Sequence, residues 1–98
     1  MGKVILQITY EVKSELREEY LTLVREMKAH FAGEQRKNYS VFEQKGKKNS
    51  FVEQFVCASR EEFEALEDNM TESSEQLVNR LEAMLKDGAR YATLVEAE

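Results

Sequence analysis

The stretch Phe51-Val52-Glu53-Gln54-Phe55-Val56-Cys57-Ala58-Ser59-Arg60-Glu61-Glu62-Phe63-Glu64-Ala65-Leu66 reads as a strand running directly into a helix. Its first part belongs to a strand predicted over residues 50–58, with Phe51 and Phe55 on one parity and Val52 and Val56 on the other. Side chains alternate across a strand, so this one is apolar on both faces. Ser59-Arg60-Glu61-Glu62 then matches a capping box, in which a serine hydroxyl and a glutamate carboxylate satisfy exposed amides at a helix start. Phe63, Leu66 and Met70 mark the buried stripe of the helix that follows.

Upstream, residues 38–45 form a second strand with Tyr39, Val41 and Phe42, joined to the first by Gly46-Lys47-Lys48-Asn49. Gly and Asn tolerate positive φ and the lysines keep the tip wet, which predicts an antiparallel hairpin. Residues 3–12 alternate Val4, Leu6, Ile8, Tyr10 and Val12 against Ile5, Gln7, Thr9 and Glu11, a further strand. Ser14 is placed to cap a helix bearing Leu16, Tyr20, Leu23, Val24, Met27 and Phe31, with Glu15, Glu18 and Glu19 at its positive end and Gly33 to close it. Downstream, residues 71–74 are polar and predict a break before a stripe of Leu77, Leu81, Met84 and Leu85 that Gly88 closes. Residues 90–96 alternate Tyr91, Thr93 and Val95 against Ala92 and Leu94 as a fourth strand.

The order is strand, helix, strand, strand, split helix, strand: the ferredoxin-like βαββαβ pattern, an α+β fold whose four-stranded antiparallel sheet carries its helices on one face. The other face should then be polar, yet Ile5, Phe42, Val52, Val56 and Leu94 occupy the parity opposite Leu6, Val41, Phe51, Phe55 and Val95. A sheet with one wet face alternates more cleanly. A second copy packing sheet against sheet in a two-fold homodimer accounts for it.

The 98 residues suffice for a single domain spanning 1–98, burying roughly 65% of the unfolded chain's surface. With 42% hydrophobic and 34% charged residues the composition is that of a globular protein, and no apolar run approaches the roughly 20 residues of a membrane span. No secretory leader is legible in residues 1–12, so the expected compartment is the cytoplasm, and no membrane partner is expected. One cysteine excludes an internal disulfide framework and a paired-cysteine zinc site. The net charge of −5 disfavours nucleic acid, but its distribution is uneven. Residues 36–58 hold Arg36, Lys37, Lys45, Lys47 and Lys48 against Glu43 and Glu53, whereas residues 59–88 hold three basic and nine acidic groups. Such dipolarity suits self-association, and equally suits two solvated faces.

The element order, the two-sided strands and the quoted segment resemble the dimeric α+β barrel superfamily, and within it the antibiotic-biosynthesis-monooxygenase-like (ABM-like) group, over nearly the whole chain. The resemblance implies cofactor-free oxygenases, haem-degrading enzymes or isomerase-like proteins. Haem-degrading relatives use an Asn on the first strand, a Trp and a His. Here Gln7 stands on the first strand, Leu66 falls where a helical His would lie, and the chain lacks Trp, so haem degradation is disfavoured. Many relatives carry a glutamate on the third strand and an aromatic two residues before the serine cap. At those places this chain has Phe55 and Cys57, with Glu53 two residues early.

Candidate chemistry follows from polar side chains on otherwise apolar strands, which must be hydrogen-bonded when buried. Gln7, Tyr39, Gln54 and Tyr91 are the candidate substrate-binding residues of a cavity between sheet and helices. Glu43, Tyr39 and His30 are the candidates for acid–base work, Glu43 if burial raises its pKa. The alternative is cross-strand bonding or solvent contact for these groups, a helix-end role for His30, and a buried apolar role for Cys57. No metal or cofactor is implied. RNA-recognition, acylphosphatase and metal-carrier variants of the fold lack their motifs here. Two functions are consistent with the sequence: a cytoplasmic homodimeric monooxygenase acting without cofactor on a quinone- or phenol-like aromatic molecule, and a non-catalytic dimeric ligand-binding or accessory protein.

Overall fold

The computed structural model describes residues 2–68 and 70–97. Its strands are β1 (Val4–Glu11), β2 (Asn38–Glu43), β3 (Ser50–Cys57) and β4 (Arg90–Val95), and its α-helices α1 (Arg17–Met27), α2 (Arg60–Asp68) and α3 (Glu72–Met84). The strands form one antiparallel sheet in the order β2-β3-β1-β4, the ferredoxin-like arrangement.

The register sorts every strand residue onto one of two faces. Leu6 stands opposite Phe55 and Thr93, and Ile8 opposite Glu53 and Tyr91, on the side the helices cover. Gln7 stands opposite Gln54 and Ala92, and Ile5 opposite Val56 and Leu94, on the other. On β3 the alternation is complete: Phe51, Glu53, Phe55 and Cys57 are buried, and Ser50, Val52, Gln54 and Val56 are partly exposed. The core joins that row to Tyr20, Leu23 and Met27 of α1 and to Leu77 and Leu81 of α3. No residue of β4 is buried.

The helix boundaries depart from the sequence expectation in three places. Ser14 makes no side-chain cap; it begins a 3-10 turn, Ser14–Leu16, that leads into α1. Beyond Met27 the helix does not stop at Gly33 but widens into a π-helical segment, Lys28–Glu34. Arg36, at φ +54°, takes the left-handed position just past its end, and the Lys37 amide donates to Phe31 O at 2.8 Å, a seven-to-one bond that closes the widened turn. Met70 is not on the buried stripe of α2: it lies past the end of that helix and is 44% exposed.

Other local signals hold. Gly46 and Asn49 both have positive φ in the β2–β3 turn. Ser59 Oγ accepts from the Glu62 amide, and the Glu62 carboxylate accepts from the Ala58 amide. Thr71 caps α3 by accepting from the Ser74 amide, so the second helix is split between Asp68 and Glu72, and residues 72–74 of the expected break lie inside α3. Among the described residues, no helix is long and apolar enough to cross a membrane.

Candidate functional site

Between the helix-facing side of the sheet and helices α2 and α3 lies a cavity of about 730 Å³. Leu6, Ile8, Phe31, Phe55, Leu66, Val78 and Leu81 make it predominantly apolar, and Gln35, Lys37, Glu53, Glu64, Glu82 and Tyr91 add polar groups. Apolar walls with a few placed polar groups are what a small-molecule site requires.

Glu53 is the buried carboxyl on its wall. It is 3% exposed, on the central strand β3, and Tyr39 on neighbouring β2 donates to its Oε1 at 2.7 Å. Its Oε2 is buried without a hydrogen-bond partner. Burial pushes the carboxyl above the usual carboxylate range, while the Tyr10 and Tyr39 hydroxyls pull the other way by favouring the ionised form. Tyr39 is raised by its own burial and then by Glu53, and Tyr10 likewise. The Tyr10 and Tyr20 hydroxyls lie 2.7 Å apart, completing a buried phenol cluster behind the carboxyl. A carboxyl in such surroundings exchanges a proton with a bound hydroxyl nearer neutrality than an exposed one does.

The structure divides the residues singled out from sequence. Tyr91 lines the cavity from β4 and is 64% exposed. Partial desolvation of its hydroxyl, and then the nearby Glu82 carboxylate, raise its phenol above the ordinary value. Tyr39 stands behind Glu53 and holds it. Gln7 and Gln54 do not join them: they face each other across β1 and β3 on the far side of the sheet, because their parity is opposite to that of Ile8 and Glu53.

Glu43 is not a buried base. It sits at the end of β2, where Arg17 Nη1 and Nη2 donate to its two oxygens at 2.7 and 2.9 Å, and the Asn49 amide donates to Oε2 at 2.8 Å. Those bonds, Arg17 first, hold its pKa down at about 2 and keep it ionised.

His30 lies in the π-helical segment, away from the cavity lining. Its Nδ1 donates to Glu34 Oε1 at 2.7 Å, since a carboxylate can only accept, and its Nε2 pairs with Ser74 Oγ at 2.6 Å. The sequence of groups resembles a hydrolytic triad, but Ser74 is fully buried and also bonded to Thr71 Oγ1 at 3.0 Å. The chain of bonds ties the π-helical segment to the start of α3. Cys57 is buried, with its thiol pushed up by burial, in keeping with an apolar role.

Glu53 is the candidate residue that the sequence reading left out of its site. Its signal is its parity: it alternates with Phe51, Phe55 and Cys57, all buried. Among the described residues no group of three or more His, Cys, Asp or Glu is placed to hold a metal ion.

No protein-family model matches the sequence, and no curated protein matches it significantly. Solved structures do match. A crystal structure of an antibiotic biosynthesis monooxygenase superposes with a TM-score of 0.78 at 22% identity, over 100% of both chains. SnoaB, a cofactor-independent oxygenase from Streptomyces nogalater, gives 0.76 at 15% identity, over 100% of this chain and 96% of its own. A conserved protein from Methanosarcina mazei Go1 gives 0.84 at 11% identity, over 99% and 95%. The chain therefore has the ferredoxin-like α+β fold of the antibiotic-biosynthesis-monooxygenase-like proteins.

Proposed function

We propose that this chain is a single-domain, cytoplasmic homodimer that binds a small, flat, phenol- or quinone-like molecule in the cavity and oxygenates it without metal or cofactor. The observation that carries this reading is Glu53: a buried carboxyl with one oxygen held by Tyr39 and the other unpartnered, on the wall of an apolar cavity. A carboxylate so placed takes the proton of a substrate hydroxyl and leaves an electron-rich phenolate. The phenolate ring carbon gives two electrons to dioxygen and forms a ring hydroperoxide; loss of water then breaks its O–O bond and the C–H bond of the same carbon, which supplies the other two electrons and becomes the second carbonyl of a quinone. A phenol plus dioxygen thus yields a quinone plus water, with atoms and electrons balanced and the substrate as reductant. The dry surroundings favour the step, because charge moves where few solvent dipoles must reorganise.

The likeness to a cofactor-independent oxygenase supports this reading at the level of fold. The far face of the sheet supports the dimer: Ile5, Val52, Val56, Leu94 and Phe42 lie on it, and Phe42 and Leu94 are 53% and 44% exposed.

The test is oxygen consumption with 2-naphthol or a reduced naphthoquinone, alongside ligand-induced change in melting temperature. Turnover that Glu53→Gln abolishes while thermal stabilisation by the ligand persists is the expected outcome. Stabilisation with no oxygen uptake would make the protein a binding module, and no stabilisation by any phenol or quinone would remove the cavity as a site.

A further inference from the structure

The cavity does not end at its apolar walls. Gln35, Lys37, Phe55 and Leu66 also line a second depression of about 440 Å³, so these four residues border both spaces. The second space has a different character. Lys3, Arg36 and Lys37 bring three positive charges to it, against the single carboxylate of Glu62. That carboxylate is already occupied by the Ala58 amide at the start of α2. Among the described residues, none of the three cations is within ion-pairing distance of a carboxylate.

In a chain of net charge −5 this concentration is against the trend. The structure divides the basic segment seen in the sequence. Lys45, Lys47 and Lys48 lie in or beside the hairpin turn, whereas Arg36 and Lys37 come to the edge of the cavity. The backbone fixes the latter pair there, with Arg36 in the left-handed region and the Lys37 amide bonded to Phe31 O. A non-glycine residue at that φ is uncommon and held only by its surroundings.

We propose that the molecule taken up by the cavity carries a carboxylate, seated in the basic depression against Arg36, Lys37 and Lys3 while its ring system occupies the apolar space. This rests on the reading of the cavity as an aromatic-binding site and narrows it to aromatic acids. Glu64 and Glu82 also line the main cavity. They disfavour an anion there and so direct the carboxylate to the basic side. An arginine or lysine beside a partly desolvated carboxylate gives a charge-assisted bond stronger than a neutral one.

The experiment compares a matched pair at pH 7, neutral 2-naphthol and anionic 6-hydroxy-2-naphthoate, by calorimetric titration. The acid binds tighter by about tenfold at low salt, and the advantage shrinks at 0.5 M sodium chloride. In Lys3→Gln/Arg36→Asn/Lys37→Gln, where asparagine tolerates the left-handed backbone, the ratio of affinities falls to about one. Equal affinity of the wild type for the two compounds overturns the carboxylate assignment and leaves the cavity reading intact. A preference for the acid that survives in the variant overturns it too, because the charge is then read elsewhere. Binding of neither compound overturns both.

Discussion

Tyr39 and Glu53 are diagonal neighbours on adjacent strands: Tyr39 stands opposite Phe55 and Glu53 opposite Val41, and the tyrosine hydroxyl crosses to the carboxyl at 2.7 Å. Diagonal pairs of this kind lie within reach of long side chains. The contact supplies Glu53 with its one well-formed hydrogen bond, since Oε2 has none. Tyr39→Phe strands both oxygens of a buried carboxyl, and the expected loss of stability at neutral pH is about 1–3 kcal/mol, read by urea denaturation. Because Tyr39 favours the ionised form, its removal also moves the acid limb of the turnover profile to higher pH. A variant with unchanged stability and an unchanged profile would detach the tyrosine from the carboxyl.

The raised pKa of Glu53 makes a second expectation with a definite sign. Above its ordinary value of 4.5 the folded protein holds a proton that the unfolded chain has released. Stability therefore falls as pH rises from about 4.5 through the folded value. Glu53→Gln keeps the shape and removes the titration, so it flattens this alkaline-side decline and gains relative to wild type as pH increases. Thermal unfolding of both proteins from pH 4.5 to 8 measures the difference. Parallel curves would mean that the carboxyl is not desolvated.

Glu43 acts in the opposite sense. Its pKa is held at about 2 by Arg17 and the Asn49 amide, so its contribution is complete above 4.5 and is lost as pH falls toward 2. Arg17 Nη1 also donates to Asn49 Oδ1 at 2.8 Å, fastening the start of α1 to the hairpin. Glu43→Gln weakens the protein at neutral pH and removes this share of its acid sensitivity, whereas Glu53→Gln acts on the other limb. Acid titrations followed by circular dichroism separate the two, and an acid limb unaltered in Glu43→Gln would contradict the assignment.

These two glutamates also mark what the sequence carries and what it leaves hidden. Alternation and capping are local, so β1 to β4, the hairpin at Gly46 and Asn49 and the helix start capped by Thr71 are legible in one dimension. Near Glu34 the local signal points to Gly33, but chain closure falls on Arg36, because the intervening turn is widened to π geometry. Glu43 and Glu53 have similar strand contexts, and their different fates depend on partners far along the chain, Arg17 for one and Tyr39 for the other. Register decides the rest. Grouping Gln7 and Gln54 with Tyr91 mixes the two parities of the sheet, and only the pairing of Ile8 with Glu53 and Tyr91 tells which parity meets the cavity.

The far face carries the last expectation. Val52 lies opposite both Thr9 and Phe42, in a row beside Gln7, Gln54 and Ser40 and then Ile5, Val56 and Leu94. An aliphatic and aromatic surface of this extent, with amides at its middle, is poorly matched to water but well matched to a copy of itself about a two-fold axis. Val52→Lys puts a charge at that surface without disturbing the core, because the Val52 side chain points away from the helices. If the sheets pair, sedimentation at micromolar concentration gives a dimer for wild type and an 11.4 kDa particle for the variant. The variant's loss of stability should then exceed the roughly 0.5 kcal/mol typical of a surface substitution. A folded wild-type monomer at that concentration would leave the apolar residues of this face without a partner and end the dimer proposal, while the cavity and Glu53, on the opposite side of the sheet, would stand or fall separately.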